Sequence, residues 1–472
     1  MKIAFLNPQG NFDRHDRYLT EHPDFGGQLV YVKEVALALA ELGVDVDIVT
    51  RRIDDPEWPG FEAPLDQFDE QADRVRIVRL DAGGAGFLAK EQLWPHLAGM
   101  VERLVEFYAG DLPDAVTTHY ADGGWMGVLL REAAGLPFTF TGHSLGAQKL
   151  ERLGATPENF ETIEARFRFT RRIAAERAAM ARAGRIITST RAERFEQYGH
   201  PLYLGAVEPE DDTAFNIVPP GINERIFHAD PDGDERGFAD ALRQRFGGDD
   251  RPAVLASSRL DAKKNVAGFV AGWLGDERLR ERARLVLFVR GVDDPFSELD
   301  RLREDERLVL APILASIEQA GLRDSVGFVN AGSQRQLATA YRFFARRGSV
   351  FVLPSLYEPF GLAPIEAAAC GLAVVATRHG GPTEVFADGS GVLVEPADPA
   401  SMAHGMHQAL DRQRELAAAA RDMVQQRYTW RRTAEGYLAV AEALAASPPD
   451  RPRGVPALDA ANAIGNWLAR HG

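Results

Sequence analysis

The sequence holds one cysteine in 472 residues, Cys370. An internal disulfide is therefore impossible, and the chain suits a reducing compartment. Cys370 falls in an alanine-rich helical segment and reads as a small core residue rather than a nucleophile. Long apolar runs are missing too: nothing approaches the roughly 20 residues of a membrane-spanning helix. The first apolar run, Ile3 to Leu6, is too short for a secretory leader, and no cleavage pattern follows it. A cytoplasmic protein with no membrane partner is expected. Positive charge is in deficit, with 54 Lys and Arg against 69 Asp and Glu and a net charge of −15. That balance speaks against nucleic acid as a partner, yet leaves room for a local basic pocket that holds an anionic substrate. The Gly26-Gly27 pair opens a helix but lacks the G-x-G-x-x-G spacing of a dinucleotide site, so NAD loses support. Asp45 and Asp47 imitate a metal-binding D-x-D motif. They follow the helix stop at Gly43, so they begin a strand and lie at the wrong edge of a sheet for a ligand. Neither a metal nor a cofactor is expected.

What is present is a strand–helix rhythm in both halves, with no sequence repeat. At this length two domains are natural. Strands are expected at 3–6, 75–80, 115–120, 138–141 and 185–190, then at 253–257, 285–290, 326–330, 349–353, 372–377 and 392–395. Helices are expected at 28–42, 90–108, 122–134 and 159–183. Residues 229–251, rich in Asp, Gly and Arg, read as an exposed linker region. In the tail, Leu458, Ala461, Ile464 and Leu468 have the spacing of a short amphipathic helix. The class is α/β, with domains expected at 1–225 and 226–430 and C-terminal helices at 431–472.

The most informative stretch is 349–384, SVFVLPSLYEPFGLAPIEAAACGLAVVATRHGGPTE. It reads as strand, loop, helix, strand, loop, with Pro364 at the helix start and Gly371 as its cap. Glu358 then lies in the loop after a strand, and Glu366, eight residues on, in the first helical turn. Ligands of open α/β sheets bind at the carboxyl ends of strands. Ionised carboxylates only accept hydrogen bonds, so two of them there suit a ligand rich in hydroxyls, such as a sugar or a ribose. Taken alone, Glu366 also reads as a partner of the helix dipole. In the first half, GHSLGAQK puts His143, Ser144 and Lys149 after a strand. Ser144 beside His143 is not expected to be a hydrolase nucleophile, for want of a nucleophile-elbow pattern and of an ordered acid partner. Arg166, Arg168, Arg171, Arg172 and Arg177 face Glu161, Glu164 and Glu176 at helical spacings, mostly as ion pairs.

The combination of Y-E-P-F-G-L with a glutamate eight residues on resembles the E-x7-E signature of retaining GT-B glycosyltransferases. With FLNPQGNF, EHPDFGGQLVYVKEV, TGHSLGAQK, VPPGIN, SSRLDAKKN and the long 357–382 segment, residues 1–445 resemble the sucrose-phosphate synthase family. The resemblance implies a GT-B fold, two Rossmann-like domains facing across a cleft, the first for the acceptor and the second for the nucleotide sugar. It implies glucosyl transfer from UDP-glucose to fructose 6-phosphate with retention and without metal. The nearest alternatives keep the fold and change specificity: free fructose as acceptor, or ADP-glucose or GDP-mannose as donor. Residue by residue, it places Gly26, Gly27 and Gln28 in a glycine loop over diphosphate and acceptor. Lys90, Lys149 and Arg172 would hold the acceptor phosphate, and His143 would lie beside the transferred sugar. Arg259 and Lys264 would neutralise the donor diphosphate. Glu358 would contact the donor hexose, with the backbone of Phe360, Gly361 and Leu362 beside it, and Glu366 would bind ribose hydroxyls.

Overall fold

The computed structural model describes residues 1–15, 18, 22, 24–230, 235–446 and 453–471. The chain forms two compact units, one of Met1–Pro219 with Trp430–Gly472, the other of Pro220–Thr429.

Among the described residues the first unit has an eight-stranded sheet. Its strands are β1 (Lys2–Leu6), β2 (Asp45–Arg51), β3 (Leu65–Asp66), β4 (Val75–Leu80), β5 (Ala115–His119), β6 (Phe138–Thr141), β7 (Arg185–Thr188) and β8 (Phe215–Ile217). They run in the order β3-β4-β2-β1-β5-β6-β7-β8, all parallel except the β3–β4 pair. Parallel strands are buried on both faces, which is why β1 reads as an unbroken apolar run. Ile3 and Phe5 enter one core cluster and Ala4 and Leu6 the other. The strand order reverses between β1 and β5, so the ligand crevice of this unit lies beyond their carboxyl ends. The helix Trp430–Ala445 joins this unit and buries Ala434, Tyr437 and Ala441 with Leu29 and Val32 of the helix Gly27–Glu41. The last helix, Ala461–His471, packs Ile464, Trp467 and Leu468 into the same unit.

Among its described residues the second unit has six parallel strands: β9 (Ala253–Ser257), β10 (Arg284–Phe288), β11 (Val326–Val329), β12 (Val350–Leu353), β13 (Ala373–Thr377) and β14 (Val392–Val394). Their order is β11-β10-β9-β12-β13-β14, with the reversal between β9 and β12. Val350 and Val352 face one core cluster, Phe351 and Leu353 the other. Ile222 and Thr429 form a parallel bridge, so the two ends of this unit lie side by side.

The α/β reading holds, and Asp45 does open β2, but several elements differ from expectation. The expected helix 90–108 is two short 3-10 turns followed by the helix Leu97–Tyr108, because Pro95 cannot sit inside a continuous helix. The expected helix 159–183 breaks at Arg168, whose φ of 54° separates Phe160–Phe167 from Phe169–Arg182. The presumed linker contains the helix Arg236–Phe246, which buries Leu242 and Phe246 against Phe343 and Phe344. Residues 231–234 of that region, and 447–452 of the tail, lie outside the described residues. So do 16, 17, 19–21 and 23 in the segment before Gly26.

Candidate active site

In the second unit the loops after β9 and β12 are tied together by backbone-directed bonds. Asn265, at φ 51°, donates to the carbonyls of Pro354 (3.1 Å) and Pro396 (2.7 Å). Leu356 N–H donates to Lys263 O at 2.9 Å. This brings Lys264 Nζ to 2.7 Å from Glu358 Oε2, which also accepts from Ser355 Oγ at 3.2 Å. The Glu358 backbone is pinned by Gly381 N–H (2.9 Å), and Gly380 passes so close that a Cβ would lie 2.2 Å from Glu358 O. Only glycine fits there, which accounts for R-H-G-G-P. Phe360 is buried against Tyr428, and Gly361 is the N-cap of the helix Leu362–Ala369. The helix begins two residues before Pro364, so Glu366 stands in its second turn rather than its first. The first N–H groups of a helix, here from Leu362 on, have no intrahelical partners. The half-buried Glu366 carboxylate has no hydrogen-bond or ion-pair partner among the described residues, and burial pushes its pKa up to about 7. Arg259 is exposed, and its guanidinium likewise has no partner among the described residues.

In the first unit Gly27 begins its helix exposed, with open space where a Cβ would stand. Gln28 Nε2 donates to Asn7 Oδ1 at 2.6 Å, and Asn7 follows β1. His143, at φ 56°, has Nε2 at 2.9 Å from His119 Nδ1, the last residue of β5. Burial drives both imidazoles toward the neutral form, His143 to about 3, so one proton bridges the pair. Tyr31 packs edge-on against His143 and bonds Tyr437 Oη (3.2 Å), which meets Thr141 Oγ1 at 2.9 Å. Lys90 is ion-paired with the buried Asp24. Arg172 is buried, pairs with Glu176 at 3.0 Å, donates to Ser144 O at 2.5 Å and stacks on Tyr120. Glu176 also accepts from Gly146 N–H and Tyr203 Oη. Lys149 lies on the helix Gly146–Arg152, not directly at the strand end, with its ammonium 4.3 Å from the Phe167 ring centroid. It has no carboxylate partner among the described residues. Burial, then Arg172 and Lys90, push its pKa down to about 8.

The structure thus brings Lys90, Lys149 and Arg172 into one cluster, and Lys264 onto Glu358. Sequence reading missed His119, Tyr31, Tyr437, Asp24 and Asn7, whose roles arise from contacts across the fold. It also missed Asp122, buried in the first turn of the helix Tyr120–Ala134 with Oδ2 unpaired. Burial, opposed by the Gly123 N–H and aided by Asp24, brings its pKa to about 7. Gly142 to Gly146 does have the G-x-S-x-G spacing of a nucleophile turn. The strained φ falls on His143 rather than on the serine, and the His143 ring bonds His119. A hydrolase triad is not assembled. Asp45 and Asp47 are bound to Arg74 and Arg76, with Asp47 also accepting from Tyr108. No cluster of three or more His, Cys, Asp or Glu with metal-holding geometry occurs among the described residues. Nor is any described helix long and apolar enough to cross a membrane.

Two family models match: "Glycosyl transferase 4-like domain" over residues 26–196 and "Glycosyl transferases group 1" over residues 239–428. HepE from Anabaena, solved in complex with UDP, shares the fold with a TM-score of 0.62 at 17% identity, covering 94% of this chain and 100% of that one. Two parallel-sheet α/β units under these models define a glycosyltransferase of the GT-B fold. A probable sucrose-phosphate synthase of Thermosipho melanesiensis is 40% identical over 94% of this chain and 96% of its own. The solved sucrose-phosphate synthase of Thermosynechococcus elongatus has a TM-score of 0.65 and 27% identity, covering 95% of this chain and 100% of that one. The chain belongs to the sucrose-phosphate synthase family. Sucrose-phosphate synthase 4 of Arabidopsis thaliana is 31% identical over 84% of this chain, and the match spans 43% of that longer protein.

Proposed function

We propose that this glycosyltransferase makes sucrose 6-phosphate by moving glucose from UDP-glucose to fructose 6-phosphate with retention. The observation that carries the reading is the charge state of the Lys90–Lys149–Arg172 cluster. Asp24 and Glu91 pair with Lys90 and Glu176 with Arg172; Glu91 acts on the Lys149 ammonium only at a distance, so among the described residues no carboxylate pairs with it. A phosphorylated acceptor supplies the missing anion, and free fructose does not. On the donor side, among the described residues Glu366 lacks donors and Arg259 lacks an acceptor, the complements of ribose hydroxyls and a diphosphate. Glu358 is engaged by Lys264 and Ser355, which suits a hydroxyl-binding group better than a nucleophile. In the reaction the bond from the glucosyl anomeric carbon to UDP breaks as its bond to the fructosyl hydroxyl oxygen forms on the same face. The departing phosphate takes the hydroxyl proton, and the cations Arg259 and Lys264 stabilise the charge that develops. The neutral His143 offers the sugar a hydrogen bond without adding charge.

The test is UDP release with fructose 6-phosphate and with fructose, in wild type and Lys149→Ala. The variant is expected to raise KM for fructose 6-phosphate by about 10–100-fold, the loss of one charge-assisted bond, with UDP affinity nearly unchanged. If both acceptors were used and the variant affected them equally, the phosphate pocket would be refuted and a sucrose synthase reading would replace it. Because Lys149 loses its proton near pH 8 in the free enzyme, KM for fructose 6-phosphate is also expected to rise above that pH.

A further inference from the structure

The second unit carries a cavity of about 660 Å³ at the edge of its sheet opposite Glu358 and Glu366. Its wall residues Asp250, Gly348 and Gly371 precede β9, β12 and β13, so the cavity opens at the amino ends of three adjacent strands. Glu358 follows the carboxyl end of β12. The two places are therefore separate.

Four arginines line the cavity: Arg346, Arg347, Arg414 and Arg421. None of their guanidinium groups has a hydrogen bond or ion pair among the described residues, and Arg347 Nε is buried without a partner while its plane stacks on Phe343. Asp250 is the one acid in the lining among the described residues. Of the acids nearest in sequence, Asp249 is committed to Arg251 and Glu415 to Arg412, while Asp422, next to Arg421, is exposed and not part of the lining. Arg346 is held below its ordinary pKa by burial and then by Arg342, Arg243 and Arg347, so the positive field extends behind the wall.

Helix dipoles explain only half of this. Arg346 and Arg347 follow the helix Gln334–Ala345, where a cation is favoured. Arg414 is the second residue of the helix Gln413–Arg427, where the dipole opposes a cation. Arg421 stands seven residues on, two turns along the same face. Between them that face carries only Ala417 and Ala418, and Gly348 and Gly371 complete a floor of small residues. In a chain of net charge −15, such a concentration of unanswered cations around an open floor needs an anion.

We propose that this cavity binds the di- or triphosphate group of a small ligand, at a second site distinct from that of the transferred sugar. Four guanidinium groups match the charge of such a group, and a single phosphate would leave half of them unanswered. The volume lies within the roughly 300–1,000 Å³ of small-ligand sites.

The experiment is calorimetric titration of the full chain with pyrophosphate and, separately, with ADP, UDP being present to fill any nucleotide site. Two variants accompany the wild type. Arg346→Ala/Arg414→Ala removes two exposed charges. Ala418→Leu keeps every charge and a good helix former but fills the floor. One equivalent of pyrophosphate or ADP is expected to bind wild type, at least about tenfold more tightly than either variant. Tighter ADP than pyrophosphate would assign the group to a nucleotide, and the reverse to a free polyphosphate; either order supports the site. No binding to wild type would overturn it. Undiminished binding to Ala418→Leu would overturn it too, since that is the behaviour of a diffuse positive surface.

Discussion

Glu366 sits where burial works against its charge, and two consequences follow from one pKa near 7. To accept two hydroxyls the carboxyl must be ionised, so UDP affinity should strengthen as pH rises through about 7. Glu366→Gln should weaken UDP binding by roughly tenfold or more, the loss of hydrogen bonds to a charged group worth ~1.5–3 kcal/mol, and abolish that pH dependence. For stability the sign is opposite. The folded pKa lies above the unfolded one, so the group's contribution is fully present below the unfolded pKa near 4.5 and is lost as pH rises through about 7. Glu366→Gln should therefore melt a few degrees higher than wild type at pH 8 and no higher at pH 4. Calorimetry of UDP binding and thermal melts at three pH values measure both. Equal UDP affinity in the two proteins would return Glu366 to the role of a structural helix residue.

Arg168 shows what a single residue does to an element. Its φ of 54° makes it both the end of Phe160–Phe167 and the start of Phe169–Arg182, and its side chain is exposed. A left-handed L-residue costs about 1–2 kcal/mol, which a β-branched side chain increases and glycine avoids. Arg168→Gly should leave the melting temperature unchanged or raised, and Arg168→Val should lower it. If Val were the more stable, the break would not be set here. The helical spacing of the arginines made this region read as one helix, because nothing local marks a left-handed arginine. The same holds for Arg236–Phe246, where Phe238, Leu242 and Phe246 keep an i, i+4, i+8 stripe that the surrounding charges masked. Most buried parallel strands were legible to within two residues, since both faces are apolar and turn residues bound them; β8 was not, because its three residues include Asn216 and an exposed Ile217. The Glu358–Glu366 motif was legible because 349–384 is contiguous. The cluster around Lys149 was legible only through the resemblance, since its counter-ions Asp24 and Glu176 come from distant segments.

At the scale of the whole molecule, the first unit is built from both ends of the chain. Trp430–Ala445 supplies Ala434, Tyr437 and Ala441 to its core, and Thr433 Oγ1 donates to Pro219 O at 2.8 Å. A chain ended at Thr429 should therefore lose the first unit's melting transition, or show it about 10 °C or more lower, since several buried side chains at 2–5 kcal/mol each are removed. Residues 220–429 alone should keep a cooperative transition that UDP raises. Differential scanning calorimetry of the three chains decides. An unchanged first transition after truncation would mean that the returning helix contributes little.

The bridge between Ile222 and Thr429 has a meaning in time as well as in space. On the ribosome, the strands of the first unit emerge before the second unit, yet the helix Trp430–Ala445 that covers them is encoded after the whole of the second unit. At 5–20 residues per second the interval is roughly 10–40 s. Throughout it the apolar side of Gly27–Glu41 waits for its neighbour while the second unit, whose two ends meet, is free to fold to completion. Of the two units, the one whose strands are made earlier is thus the one whose covering helix arrives later.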